Sequence, residues 1–137
     1  MIWYNNLIFF KDVKRVEKQI LSLIEEKKYT RLRECLEELN PADIALILEE
    51  AELKDLPVVF RILPKELAAE VFVEMDRDLQ QHLIESFSNT ELKDVFDELF
   101  MDDMVDIIDE MPAIVAKRIL KQTDSKTRKM INQLLAY

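Results

Sequence analysis

The sequence PKELAAEVFVEMDRDLQQHLIESF, residues 64–87, sets a pattern that recurs along the chain. It opens on Pro64, and Asn40, Ser88 and Pro112 open similar stretches at the same interval of 24 residues. Seven residues after each opening lie Ile47, Val71, Val95 and Ile119; eight after lie Leu48, Phe72, Phe96 and Leu120. Nineteen after lie Val59, Leu83, Ile107 and Ile131; twenty-three after lie Leu63, Phe87, Met111 and Leu135. A weaker unit starts at Val16 and carries Leu23, Ile24, Cys35 and Leu39 at the same offsets. Offsets that stay apolar through four units imply one supersecondary element, repeated and stacked. Each unit has room for two helices of about ten residues and a short corner. Val59 with Leu63, and Leu83 with Phe87, are spaced as on one helix face. No single helix can bury its stripe alone, so stacking must build the core.

The corners agree. Asn40-Pro41 reads as an N-cap followed by proline in the first turn. Asp76, Ser88 or Thr90, and Asp124 are further caps, and Pro57, Pro64 and Pro112 sit at helix starts, where a missing N–H matters little. These signals predict helices near 11–28, 30–39, 41–51, 56–63, 64–75, 77–87, 89–99, 102–111, 112–122 and 125–136. The fold class expected is all-α, solenoid-like, of about ten short helices in helix-pair repeats.

Composition narrows the function. The chain has 137 residues, 49% apolar and 34% charged, which is a globular balance. Glycine is absent, which excludes a P-loop and a dinucleotide fingerprint. A net charge of −9 argues against nucleic acid and anionic membrane surfaces and favours cations or basic partners. Cys35 is the only cysteine, so no internal disulfide forms, in keeping with a reducing compartment. No apolar run approaches the length of about 18 residues that spans a bilayer. The first ten residues carry Ile2, Trp3, Tyr4, Leu7, Ile8, Phe9 and Phe10 without the flanks of a signal peptide. They read as an edge helix, a sticky extension, or a contact with a missing part of the protein.

Between Asp97 and Glu110 stand Asp97, Glu98, Asp102, Asp103, Asp106, Asp109 and Glu110, with no Lys or Arg among them. Asp102, Asp106 and either Asp109 or Glu110 share a helix face, where like charges destabilise by about 0.2–0.5 kcal/mol per pair. A divalent cation would remove that repulsion. Magnesium suits carboxylates and water, whereas transition metals favour the histidine and thiolate that are scarce here. On spacing alone, a solvated acidic face with Asp102 or Asp103 capping a helix is the simpler account. His82 reads as a surface or boundary residue and Cys35 as a core filler, so neither supports a nucleophile or base. Met75, Met101, Met104, Met111 and Met130 read as core filler as well. A hydrolase built on paired carboxylates ranks behind, because nothing places a cleft beside them.

Three runs carry a family resemblance: LPKELAAEVF at 63–72, MDRDLQQ at 75–81 and MDDMVD at 101–106. In order and spacing they closely resemble the N-terminal cytosolic domain of MgtE-type magnesium transporters, over roughly residues 16–137. The resemblance implies a right-handed superhelix over 16–137, with 1–15 as an N-terminal apolar extension or edge helix. It also implies that a tandem CBS pair, a connecting helix and a transmembrane pore follow, that the parent protein is a homodimer, and that this part lies on the cytoplasmic side of the cell membrane. The chain ends at Leu134-Leu-Ala-Tyr137, about where the family passes into its CBS part, so a piece of a longer protein is expected.

The same resemblance implies a role. Magnesium would bind between this domain and the CBS pair, hold the cytosolic part compact and keep the pore closed. Metal-binding positions carry over to Glu70 in the Ala-Ala-Glu-Val run and to Asp102 and Asp106 in the Asp-Asp-x-x-Asp run, with Asp103 as a helper. These acids would supply only part of each Mg2+ ligand set, so the domain alone would bind the ion weakly or not at all. The expected function is therefore a regulatory, non-enzymatic magnesium sensor, with no catalytic residues, no nucleic acid partner and no direct membrane insertion by this part. The other reading is a helical-repeat interaction module of the armadillo or flagellar rotor-switch type.

Overall fold

Capping and burial set the helix boundaries. The computed structural model describes residues 2–135, with side chains over 14–135. Ten α-helices occur among the described residues: α1 (Ile2–Glu25), α2 (Tyr29–Glu37), α3 (Pro41–Leu48), α4 (Leu56–Ile62), α5 (Lys65–Glu74), α6 (Arg77–Ser86), α7 (Asn89–Asp97), α8 (Met101–Asp109), α9 (Ala113–Lys121) and α10 (Ser125–Leu135). A single 3₁₀ turn, Leu53–Asp55, leads into α4, and no strand is present among these residues. Each expected helix is found, but α1 begins at Ile2, well before residue 11. The contacts expected of the apolar side chains from Ile2 to Phe10 lie outside the described residues.

The corners carry the expected chemistry. Asn40 Oδ1 accepts the Asp43 N–H at 2.9 Å, and Asp76 Oδ1 accepts that of Leu79 at 2.9 Å. Asp124 Oδ1 accepts the Thr127 N–H at 2.8 Å. Ser88 and Glu91 form a full capping box: Ser88 Oγ accepts the Glu91 N–H, and Glu91 Oε1 accepts the Ser88 N–H. Pro41 and Pro57 lie in first turns, and Pro64 and Pro112 take the N-cap positions of α5 and α9. The first corner is different. Lys27 takes a left-handed φ of 59°, while Lys28 N–H donates to Leu23 O and Lys27 N–H to Ile24 O. That is the Schellman ending that usually employs glycine, which this chain lacks.

Burial follows the 24-residue repeat. All four residues at offset seven and all four at offset nineteen are buried. At offsets eight and twenty-three the last unit departs, since Leu120 and Leu135 are only partly buried. No further unit among the described residues stacks on them. The first unit is shifted: Leu32 and Leu36 are fully buried, whereas Cys35 and Leu39 are partly buried and pack against the core. Cys35 therefore fills the core position expected of it only in part. Among the methionines, Met75, Met104 and Met111 are core, Met101 is half-buried and Met130 is exposed.

Helices pack next-but-one, so each helix pair stacks on the neighbouring pair. Helix α1 packs on α3, α3 on α5 and α5 on α7; on the other side α4 packs on α6 and α8 on α10, while α9 contacts both α6 and α8. Edge-to-face rings run through the stack, Phe60 on Phe72 and Phe87, and Phe72 on Phe96. Polar contacts join units as well. Arg77 pairs with Glu110 at 2.8 Å, Lys65 with Asp94 at 3.5 Å, and Arg61 with Glu91. The Arg118 guanidinium of α9 donates to the carbonyls of Ile84 and Phe87 at the end of α6, which have no partner within that helix. Gln80 is a fully buried polar residue, satisfied by donating to Phe72 O at 2.8 Å and accepting from Arg77 at 2.8 Å. No helix among the described residues is long and apolar enough to cross a membrane.

Candidate functional site

The acidic segment lies on α8, and the inner face of that helix orients it. Met104, Ile107 and Ile108 are buried, so the 3.6-residue period turns Asp102, Asp106 and Asp109 to solvent. Asp102 and Asp103 occupy the first turn, where the helix dipole favours negative charge. Neither caps the helix: the N-cap position is Phe100, and it makes no side-chain bond. Two acids of the segment meet cations from elsewhere, Glu110 with Arg77 and Asp97 with Lys93 at 2.7 Å. The Asp97 carboxylate in turn holds the Lys93 ammonium above the ordinary lysine range.

Glu70 lies on α5, whose buried face is Ala68, Ala69, Val71 and Phe72. It faces a groove of about 370 Å³ between the start of α3, the outer side of α5 and the α7–α8 corner. Asp103 lines the same groove, with Glu74, Glu98, Leu99 and Phe100. The fold thus brings together Glu70 and Asp103, which are 33 positions apart in sequence. Asp102 and Asp106 are not part of that lining; they stand exposed on α8. None of these four carboxylates pairs with a cation among the described residues.

This donor set consists of oxygens and is incomplete. No group of three or more His, Cys, Asp or Glu among the described residues is gathered closely enough to hold a metal ion. Carboxylates with open solvent sides fit a hydrated hard cation that keeps several waters, not a caged transition metal. Motif reasoning missed Glu74 and Phe100: Glu74 lies one helical turn beyond Glu70 on α5, whereas Phe100, like Glu98 of the acidic segment, meets Glu70 only across units. The signal for Phe100 was present, however: it breaks the repeat at offset twelve, where Glu52, Asp76 and Asp124 stand. His82 is partly exposed, with Nε2 at 3.2 Å from the Leu53 carbonyl.

The family model described as the MgtE intracellular N domain matches residues 39–137. A crystal structure of the cytosolic domain of the Mg2+ channel MgtE in complex with ATP matches with a TM-score of 0.73 and 30% sequence identity. That match covers 85% of this chain and 49% of the solved chain, so this chain spans about half the length of the structure it resembles. No curated protein sequence gives a match.

Proposed function

The chain belongs to the MgtE intracellular N-domain family, and on that premise we propose that it is the magnesium-sensing part of a magnesium transporter or channel. The observation that carries this reading is the unpaired set Glu70, Asp102, Asp103 and Asp106, held on helices α5 and α8 without a complete metal cage. Each carboxylate offers one or two oxygens to a hydrated Mg2+. The remaining ligands come from a CBS domain that follows in the full-length chain. With the ion bound, charge on both surfaces is screened and the two domains stay together. Without it, like charges repel and the domain swings away, which releases the pore.

The role is regulatory and not enzymatic. In this reading residues 16–137 form the sensing domain and 1–15 an edge extension, on the cytoplasmic side of the membrane that holds the transmembrane part. The parent protein acts as a homodimer. Limited proteolysis of the full-length protein tests the proposal. Magnesium should protect the wild type, and Asp102→Ala with Asp106→Ala should remove that protection. Equal protection of the double variant would show that these acids are not the sensor.

A further inference from the structure

The α7–α8 corner departs from the repeat in one side chain while keeping its backbone. Asp76, at offset twelve of its unit, has φ −70° and ψ 164°; Phe100, at the same offset of the next, has φ −71° and ψ 153°. Asp76 and, one unit beyond Phe100, Asp124 each cap a helix by accepting an N–H. Phe100 cannot accept one, and the residue is 77% exposed. An apolar residue is strongly disfavoured at an N-cap, and an exposed ring stabilises nothing inside the fold. The position gives up a cap and displays an aromatic group to solvent.

That ring sits at the edge of the groove described above, with Ala69 and Val73 on its apolar wall. Four carboxylates surround the wall, Glu70, Glu74, Glu98 and Asp103, and no Lys or Arg lines it. None of the four pairs with a cation among the described residues. A hydrated metal ion has no use for an exposed phenyl ring, whereas aromatic anchors recur at the centres of protein interfaces.

We propose that Phe100 and this groove dock a basic amphipathic helix of a partner protein. Its apolar face lies against Phe100 and Val73, and its Lys or Arg side chains meet the ring of carboxylates. The interaction shares Glu70 and Asp103 with the magnesium reading but does not rest on it.

A labelled helical peptide of Leu and Arg, about 18 residues long and with one apolar face, is the probe. It is titrated into the whole chain in EDTA, beside a scrambled peptide of the same composition. The amphipathic peptide should bind at least about tenfold tighter than the scrambled one. Phe100→Ser should abolish that preference while raising the melting temperature, because serine restores the cap. Glu74→Gln with Glu98→Gln should weaken peptide binding by about tenfold and leave the magnesium response of the full-length protein intact. Equal binding of the two peptides, or unchanged binding by Phe100→Ser, overturns the proposal. So does Phe100-dependent self-association without peptide, which would make a second copy the occupant.

Discussion

Phe72 and Phe96 stand one repeat apart, and their rings meet edge-to-face with centroids 5.7 Å apart and planes at 65°. Both are fully buried, so each is core for its own unit and for its neighbour. Phe96→Ala is expected to destabilise the domain by about 3–5 kcal/mol in urea unfolding. A double-mutant cycle with Phe72→Ala should give a coupling of about 0.5–1.5 kcal/mol. Additive losses would mean that the units do not support one another through these rings.

Glu91 carries a pH-dependent contribution. Arg61, and then the N–H and hydroxyl of Ser88, hold its carboxyl below the ordinary carboxylate range, against the opposing effect of burial. A carboxyl lowered in the folded state stabilises above its unfolded pKa of about 4.3, and that contribution is lost as pH falls through the lower folded value. The stability gap between wild type and Glu91→Gln should therefore be full near neutrality and close in acid. Urea midpoints across pH check this. Ser88→Ala should cost about 1 kcal/mol at neutral pH through loss of the cap.

Lys27 holds a left-handed backbone in a chain without glycine. Lys27→Gly should raise stability by about 0.5–1 kcal/mol, because only the larger residue meets a Cβ clash there. Lys27→Val should lower it, since a β-branched side chain tolerates that φ least. Thermal unfolding of the two variants reads the sign directly.

Asp106 lies four residues from Asp102 and three from Asp109, all exposed. Asp106→Asn should stabilise the isolated domain by about 0.2–0.5 kcal/mol per relieved pair. The effect should shrink in high salt, because exposed charges are screened. A destabilised variant would mean that Asp106 has a structural partner.

Much of the fold was legible because a repeat tests itself. Val71, Val95, Leu83 and Ile107 could be named as core before any helix was placed, and Asn40, Asp76, Ser88 and Asp124 could be named as caps. Reading failed at the ends of the repeat, where stacking is one-sided. Cys35 is covered less fully than Leu32 and Leu36, and Leu120 and Leu135 stayed half-covered. The candidate site was legible only in part. Helical spacing placed Asp102 and Asp106 on one face of α8, but it could not place Asp103 beside Glu70, since that meeting depends on how α5 packs on α7. A cap assigned to Asp102 or Asp103 belonged to the position of Phe100, two residues earlier than the first acid.

Magnesium affinity measured at two chain lengths distinguishes half a site from a whole one. The ion is titrated by calorimetry into this chain and into the full cytosolic region of the parent protein. If Glu70, Asp102, Asp103 and Asp106 are half of a shared site, the longer protein should bind at least about tenfold tighter. Asp102→Ala with Asp106→Ala should remove that gain. Equal affinity at the two lengths, or a double variant that binds as the wild type does, would contradict the account.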